Sequence, residues 1–348
     1  MCGIVGFTGS RSALSVLLNG LKKLEYRGYD SAGIAFFGEK DIQVVKTKGR
    51  LDVLEERINQ ENFPDTHCGI GHTRWATHGE PTDINSHPHL SGSGNIAVVH
   101  NGIIENYADL KEKLIGRGYR FLSDTDTEVI AHLMDYYYNG DIVQTLSKVT
   151  SRLKGSYALG ILSADKPGKI IATRHDSPLV IGIGSGENFI ASDIPAVLEY
   201  TDRYILLEDE EIACLTPERI EIFGVDGELI SREPFTVDWN IQAAEKCGYE
   251  HFMLKEIFEQ PKAIRDTVSP RIRDGFITFN DAGITDDFLR ERKLIHIVAC
   301  GSAAHVGMVG KYLIEQLARI PVEWDLASEF RYRSPIFSKD DLCIIISQ

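Results

Sequence analysis

The chain opens Met1-Cys2-Gly3-Ile4-Val5-Gly6-Phe7, and the reading of this stretch decides what kind of molecule is built on it. If Met1 is removed, Cys2 carries a thiol and a free α-amino group on one backbone unit, a nucleophile beside a base. A thiol of pKa about 8.5 and an α-amine of about 7.7–8.0 both lie near working pH, and the thiolate is the attacking species. An internal cysteine has no such pair. The plainer reading is that Cys2 begins an apolar strand, with Ile4, Val5 and Phe7 as core residues and the glycines as turns. This stretch alone leaves both readings open.

The composition narrows the partners. With 348 residues, 43% of them hydrophobic, the chain is long enough for two domains with sizeable cores. A formal charge of −14 opposes the counterion release on which nucleic-acid binding depends, and no local lysine or arginine cluster offsets it. Nucleic acid and anionic membrane are therefore not expected partners. The first ten residues have no basic segment and no sustained apolar run, and no stretch reaches a membrane-spanning length, so a cytoplasmic protein is expected. The cysteines at 2, 68, 214, 247, 300 and 343 form no CxxC pair, which makes reduced thiols the expectation. Histidines 67, 72, 78, 87, 89 and 100 crowd one region. They form no helical His-x-x-x-His pair and no carboxylate completes a set, so neither a metal nor a cofactor is expected and most read as structural or loop residues.

Outward from the opening strand, Ser12 is placed to cap a helix whose apolar residues Ala13, Val16, Leu17, Leu21 and Leu24 recur at helical spacing. Tyr26-Arg27-Gly28-Tyr29-Asp30 reads as a loop before the apolar run 33–37. Residues 67–80 read as a short strand entering a loop that carries Arg74, Trp75, Thr77 and His78. The planar donor fork of Arg74 suits a carboxylate. The apolar strand 95–100 delivers Asn101-Gly102, which is first a tight-turn signal. Equally, an Asn amide beside a glycine N–H is a donor pair suited to an oxyanion. Asn106 then stands where it could cap a helix. Asp124 and Asp126 read either as acids complementing the dipole of the helix after them or, for Asp126, as the partner of an ammonium group. Arg74 with Asp126 would define an α-amino-acid pocket.

Strand-like runs follow at 156–163, 169–174, 179–183 and 188–192, and an Asp226-Gly227 hairpin comes later. The first 235 residues thus read as an α+β layered domain. Residues 236–285 read as a helical linker. From 286 the order strand, helix, strand, helix, strand predicts a parallel, doubly wound α/β sheet, with Cys300-Gly301-Ser302 at a helix N-terminus where phosphate oxygens find backbone N–H groups. The chain stops at Gln348, at the end of an apolar strand, which reads as a fragment or a truncated gene product.

Five motifs in order, Cys2-Gly3-Ile4-Val5-Gly6, Glu25-Tyr26-Arg27-Gly28-Tyr29-Asp30-Ser31, His72-Thr73-Arg74-Trp75-Ala76-Thr77-His78-Gly79, His100-Asn101-Gly102-Ile103-Ile104-Glu105-Asn106 and Asp124-Thr125-Asp126-Thr127-Glu128, resemble the class II glutamine amidotransferases. The later segments Lys255 to Pro261, Ala299 to Ser302, Ala327 to Arg333 and Ser347-Gln348 are similar to the members that join this domain to sugar isomerase (SIS) domains. The resemblance covers essentially the whole chain.

It implies an N-terminal-nucleophile (Ntn) αββα glutaminase at 1–235, a linker at 236–285 and a truncated SIS domain at 286–348. It implies L-glutamine and D-fructose 6-phosphate as substrates of an aminotransferase of amino-sugar biosynthesis, and a homodimer for full-length members. Carried over by position, Cys2 would be the nucleophile and its α-amine the base. Asn101 and Gly102 would form the oxyanion hole. Arg74, Thr77, His78, Gly79 and Asp126 would bind glutamine, and Arg27 and Trp75 would gate ammonia. Cys300, Gly301, Ser302, Ser347 and Gln348 would form part of the sugar-phosphate site. One departure is Ser302-Ala303, where the family commonly has a second hydroxyl. Two competing readings remain: an amidophosphoribosyltransferase-like enzyme, and a non-catalytic sugar-phosphate-binding module in which Cys2 is inert.

Overall fold

The structure, a computed structural model, describes residues 2–38, 41–61, 63–237, 249, 251–273, 275–279 and 282–347. The chain divides into two compact units, Met1–Lys255 and Glu256–Gln348. Within the expected linker at 236–285, residues 238–248, 250, 274, 280 and 281 lie outside the described set, and the described part holds a helix at Phe252–Val268 and short strands at Ile272–Arg273 and Phe276–Ile277.

Unit 1 is built on two stacked antiparallel sheets. One has eight strands in the order β15 (Phe235–Thr236), β11 (Arg203–Leu206), β9 (Val180–Ile183), β10 (Asn188–Ala191), β1 (Gly3–Thr8), β4 (Cys68–Arg74), β2 (Ser31–Phe37) and β3 (Ile42–Lys48). The other has seven: β14 (Leu229–Ile230), β13 (Ile220–Phe223), β12 (Ile212–Leu215), β8 (Ile170–His175), β7 (Gly155–Ser163), β6 (Ile96–Ile104) and β5 (His89–Leu90). The opening stretch is thus a central strand, paired with β10 on one side and β4 on the other.

Side-chain alternation along the strands sorts the core into three layers. Val5 and Phe7 of β1 share a core with Leu17 and Leu21 of α1 (Ala13–Leu24) and Leu54 of α2 (Leu51–Glu61). Ile4 lies in the middle core, with Ile70 of β4, Ala97 and Val99 of β6 and Ala158 of β7. Val98 and Leu159, one residue out of phase, join Leu110 of α3 (Tyr107–Ile115), Val129 of α4 (Glu128–Tyr137) and Leu146 of α5 (Ile142–Thr150). Helices, sheet, sheet, helices is the αββα sandwich expected from the resemblance. Leu17, Leu21 and Leu24 of α1 are fully buried, and at about 1.5–3 kcal/mol each they dock that helix far more strongly than its caps do.

Glycine sets how closely α1 approaches. A Cβ added at Gly69 or Gly71 of β4 would stand 2.9 Å from Leu17 Cδ1 or Leu21 Cδ1. The helix can lie this near only because β4 has no side chains there.

Three local expectations change. Asn101-Gly102 is not a turn, because β6 runs on to Ile104, with Asn101 opposite Ala158 and Gly102 opposite Tyr157. Ser12 and Asn106 precede helices, but neither side chain caps one. Asn106 instead donates to the Arg152 carbonyl at 2.8 Å and accepts from the Lys154 N–H at 3.0 Å. The segment before α4 is held by the helix's own first residue: Glu128 accepts from the Leu122 N–H at 2.9 Å and the Ser123 N–H at 2.7 Å.

Unit 2 centres on a three-stranded parallel sheet with Leu294–Ala299 in the middle, Val322–Leu326 on one side and Asp341–Ile346 on the other. The helices Gly301–Leu317 and Ala327–Tyr332 make its crossovers. Among the described residues no helix is long and apolar enough to cross a membrane.

Candidate active site

Cys2 sits just ahead of β1, half-buried, where that strand is tied at its first turn by the Ile4 N–H donating to Ser192 Oγ at 3.0 Å. Its sulfur accepts from the Trp75 N–H at 3.2 Å, and its carbonyl accepts from Asn101 Nδ2 at 3.0 Å. Cys2, Arg74, Trp75, Thr77, Gly102 and Asp126 line one cavity, together with His87, His100, Thr125 and Thr127. Its volume is about 10 Å³, roughly one water. Burial pushes the Cys2 thiol up; the Trp75 N–H, the positive chain terminus and Arg74 pull it down, and Asp126 raises it further. A base is therefore needed to generate the thiolate in this environment.

Arg74 ends β4 with its guanidinium buried, 3% exposed. It donates to the carbonyls of His78, Gly79 at 3.0 Å and Glu80 at 3.4 Å, wrapping the 78–80 loop around itself. Gly79, with φ +77, gives the loop its turn. Asp126 is 4% exposed, and its Oδ2 accepts from the Ile104 N–H at 2.8 Å. A buried carboxylate and a buried guanidinium thus face one small cavity beside a thiol.

Gly102 takes φ +126, and a Cβ there would fall 2.1 Å from the Ser156 carbonyl oxygen. No residue with a side chain fits that backbone.

The 26–30 segment packs beside Trp75. Asp30 Oδ2 accepts from the Ala76 N–H at 2.8 Å, the Asp30 N–H donates to the Arg74 carbonyl at 3.0 Å, and Tyr29 meets the Trp75 ring edge-on at 5.4 Å. Trp75 itself is 45% exposed. Arg27 is not brought to the Cys2 cavity: its Nη1 pairs with Asp193 Oδ2 at 2.8 Å. Thr77 and Gly79 are not buried, and His78 stacks edge-on against Tyr107 at 5.3 Å.

In unit 2, Cys300 stands at the N-cap of the helix Gly301–Leu317, with Gly301 at φ +58 and Ser302 in the first turn. Ala299 pairs with Ile346, so Ser347 emerges beside Cys300 at the carboxyl edge of the sheet, the ligand-binding edge of such folds. Gln348 lies outside the described residues.

The residue pattern alone gave most of the histidines no part in a site, yet His72, His87, His89 and His100 are all buried, and His87 and His100 line the cavity. His72 and His87 stack with centroids 4.1 Å apart. The signal available was phase: His72 shares the β4 face of Ile70 and Arg74. Among the described residues no group of three or more His, Cys, Asp or Glu is arranged to hold a metal.

Comparison with known proteins agrees with this architecture. Residues 72–199 match the glutamine amidotransferase domain family and residues 288–348 the SIS domain family. Over its whole length it is 58% identical to a glutamine–fructose-6-phosphate aminotransferase (isomerizing) of Caldanaerobacter subterraneus subsp. tengcongensis and 49% identical to one of Thermus thermophilus. It spans 57% of the length of each of those relatives. Among solved structures, a glutamine phosphoribosylpyrophosphate amidotransferase from B. subtilis superposes with TM-score 0.58 at 21% identity, over 97% of this chain and 69% of that one. An allosteric regulatory enzyme of purine biosynthesis gives 0.56 at 22%, over 93% and 65%. These two likenesses concern the fold alone.

Proposed function

We propose that unit 1 hydrolyses L-glutamine to glutamate and ammonia, and that the ammonia serves the conversion of D-fructose 6-phosphate to D-glucosamine 6-phosphate, at a second site to which residues 286–348 contribute. The carrying observation is the convergence of Cys2, Arg74, Gly102 and Asp126 on one cavity. Glutaminase residues are assigned to 1–235, a helical connection to 236–285 and SIS sequence to 286–348.

In this reading the α-amine of Cys2, freed by removal of Met1, takes the thiol proton. The thiolate attacks the side-chain amide carbon of glutamine. Charge moves to the amide oxygen, where Asn101 Nδ2–H and the Gly102 N–H receive it; one such donor is worth about 2.7–4 kcal/mol. The α-ammonium returns its proton to the leaving nitrogen, ammonia departs and a γ-glutamyl thioester remains. Water, activated by the same amine, hydrolyses it to glutamate and restores the thiol.

Asp126 takes the substrate ammonium, and the donors of Arg74 not spent on the 78–80 carbonyls take its carboxylate. Arg27 and Trp75 act on the exit of ammonia, and Cys300, Gly301, Ser302, Ser347 and Gln348 contribute to a sugar-phosphate site. The 58% identity to an aminotransferase over the whole chain and the SIS match at 288–348 favour this over an amidophosphoribosyltransferase.

The test is glutamate and ammonia release from glutamine by the purified chain, with mass spectrometry of the N-terminal peptide. Loss of Met1, labelling of Cys2 by a glutamine-mimicking electrophile and no turnover in Cys2→Ala are expected. Retained Met1, or turnover surviving Cys2→Ala, would overturn the assignment.

A further inference from the structure

The oxyanion donor assigned to Asn101 in the glutaminase reading, on which His72's role rests in turn, works only if the amide is turned the right way round. An Asn side chain has nearly the same shape with its oxygen and nitrogen exchanged, so something must fix the choice.

His72 is fully buried on β4, on the face turned toward the other sheet. Its Nε2 lies 3.0 Å from the backbone carbonyl oxygen of His100 and 3.0 Å from Asn101 Oδ1. A backbone carbonyl can only accept, so Nε2 must carry the hydrogen. An N–H at that position cannot accept from an amide, so the Asn101 atom facing it must be the oxygen. The NH₂ group is thereby driven to the opposite side, where it donates to the Cys2 carbonyl at 3.0 Å. Of its two N–H bonds, one is spent there. The other has no partner among the described residues.

We propose that His72 is a positioning residue for glutamine hydrolysis: its Nε2–H, oriented by the His100 carbonyl, locks Asn101 with Nδ2 toward Cys2.

The surroundings keep this tautomer. His72 Nδ1 has no hydrogen-bond partner among the described residues; a hydrogen there would be a buried, unsatisfied donor, whereas a bare lone pair costs less. The ring is clamped by His87, stacked 4.1 Å away and only 16° from parallel. His87 is held in turn, its Nδ1 accepting from the His100 N–H at 3.2 Å. Residue 100 thus orients both rings, one through its carbonyl and one through its amide. Burial also pushes His72 down to about 3, so the ring stays neutral and a single N–H is present throughout the working range. A doubly protonated ring would be no better a lock and would put a charge in the middle core.

The experiment uses the full chain and begins with wild-type glutamine hydrolysis; absence of that activity would refute the proposed function itself, independently of the His72 comparisons. His72→Phe keeps a ring against His87 but removes the donor. A fall in kcat of about 100-fold with KM within threefold is expected, while iodoacetamide alkylates Cys2 at the wild-type rate. His72→Gln sets an amide N–H near the former Nε2 and is expected to recover at least tenfold of the loss. In an Asn101→Ala background, His72→Phe should cost almost nothing further, because the group it positions is gone. A full additional loss in that background, a loss carried by KM, or no loss in the single variant would overturn the proposal. Should His72→Phe not fold, the tautomer can be read in the wild-type chain by long-range proton–nitrogen NMR with labelled histidine. Hydrogen on Nε2 supports the lock, and hydrogen on Nδ1 refutes it.

Discussion

Acid should weaken unit 1 well before its carboxylates begin to titrate. His72 is fully buried, and burial lowers it from 6.5 to about 3. In the unfolded chain it takes up a proton near pH 6.5, whereas in the folded protein it does not until near pH 3. The unfolded state therefore binds more protons below pH 6.5, so stability is complete above that value and falls as pH drops toward 3. For these two pKa values the loss between pH 7 and pH 5 is about 2 kcal/mol from His72 alone. His87 and His89 are also lowered, first by burial and then by neighbouring positive charge, and act in the same direction. Glu128 belongs to a lower window. Burial raises it, but the bonds from His132, Leu122 and Ser123 outweigh this and hold it at about 2, so its contribution is present above about 4.5 and fades only below that. Urea denaturation followed by tryptophan fluorescence at pH 7, 6 and 5 measures the first window in isolation. His72→Gln should remove about 2 kcal/mol of the difference between pH 7 and pH 5 whatever its effect at pH 7. A wild-type stability that changes by less than about 1 kcal/mol over that range would refute the neutral-histidine core.

Other perturbations draw on the same geometry. Asn101→Ala should lower kcat for glutamine hydrolysis by about 10²–10³ with little change in KM, since the lost bond forms mainly in the transition state; steady-state kinetics decides. Gly102→Ala meets the Ser156 carbonyl at 2.1 Å and must hold φ +126, so denaturation should show a loss of at least about 1–3 kcal/mol together with collapse of activity. Asp126→Asn can still accept from the Ile104 N–H but has no charge for an ammonium, and its kcat/KM should fall by roughly 10–150-fold, with glutamine analogues lacking the α-amine affected far less. Arg74→Lys cannot reach three carbonyls from one ammonium, so the 75–80 loop should become more sensitive to limited proteolysis and KM for glutamine should rise.

How much of this was legible in the sequence depended on whether neighbours in space were also neighbours in periodicity. The strands Gly155–Ser163 and Ile170–His175 and the helix Ala13–Leu24 were readable because apolar alternation and three-to-four spacing are local signals. The αββα architecture itself came from the resemblance: the residues alone indicated only layered α and β, because which strands neighbour β1 is decided by side chains far apart in the chain. Strand β3 and helix α2 carry charges among few apolar positions, and their burial rests on Leu51, Leu54 and Ile58 meeting the core of α1. The Asn101-Gly102 pair misled in the opposite way. Its turn propensity is real, but pairing with Ala158 and Tyr157 overrides it, and the same glycine then serves the backbone conformation at φ +126.

Most of the assigned site was visible as residue types, while its mechanics were not. Arg74 and Asp126 could be named from chemistry, but that Arg74 holds its own loop by three carbonyls requires knowing the path of residues 78–80. His72 is the clearest case. As a histidine in a histidine-rich stretch it carries no distinctive signal, and its position on β4 becomes informative only when the facing sheet brings His100 and Asn101 opposite it. Cys2 and Asn101 are 99 residues apart and belong to opposite sides of the sandwich. The hydrogen bonds joining them, His72 and His100 therefore run across the sandwich, so the donors assigned to the reaction are aligned by the same sheet-on-sheet packing that buries the middle core. A substitution that shifts one sheet against the other, even at Ile70 or Val99, should then disturb catalysis before it unfolds the protein.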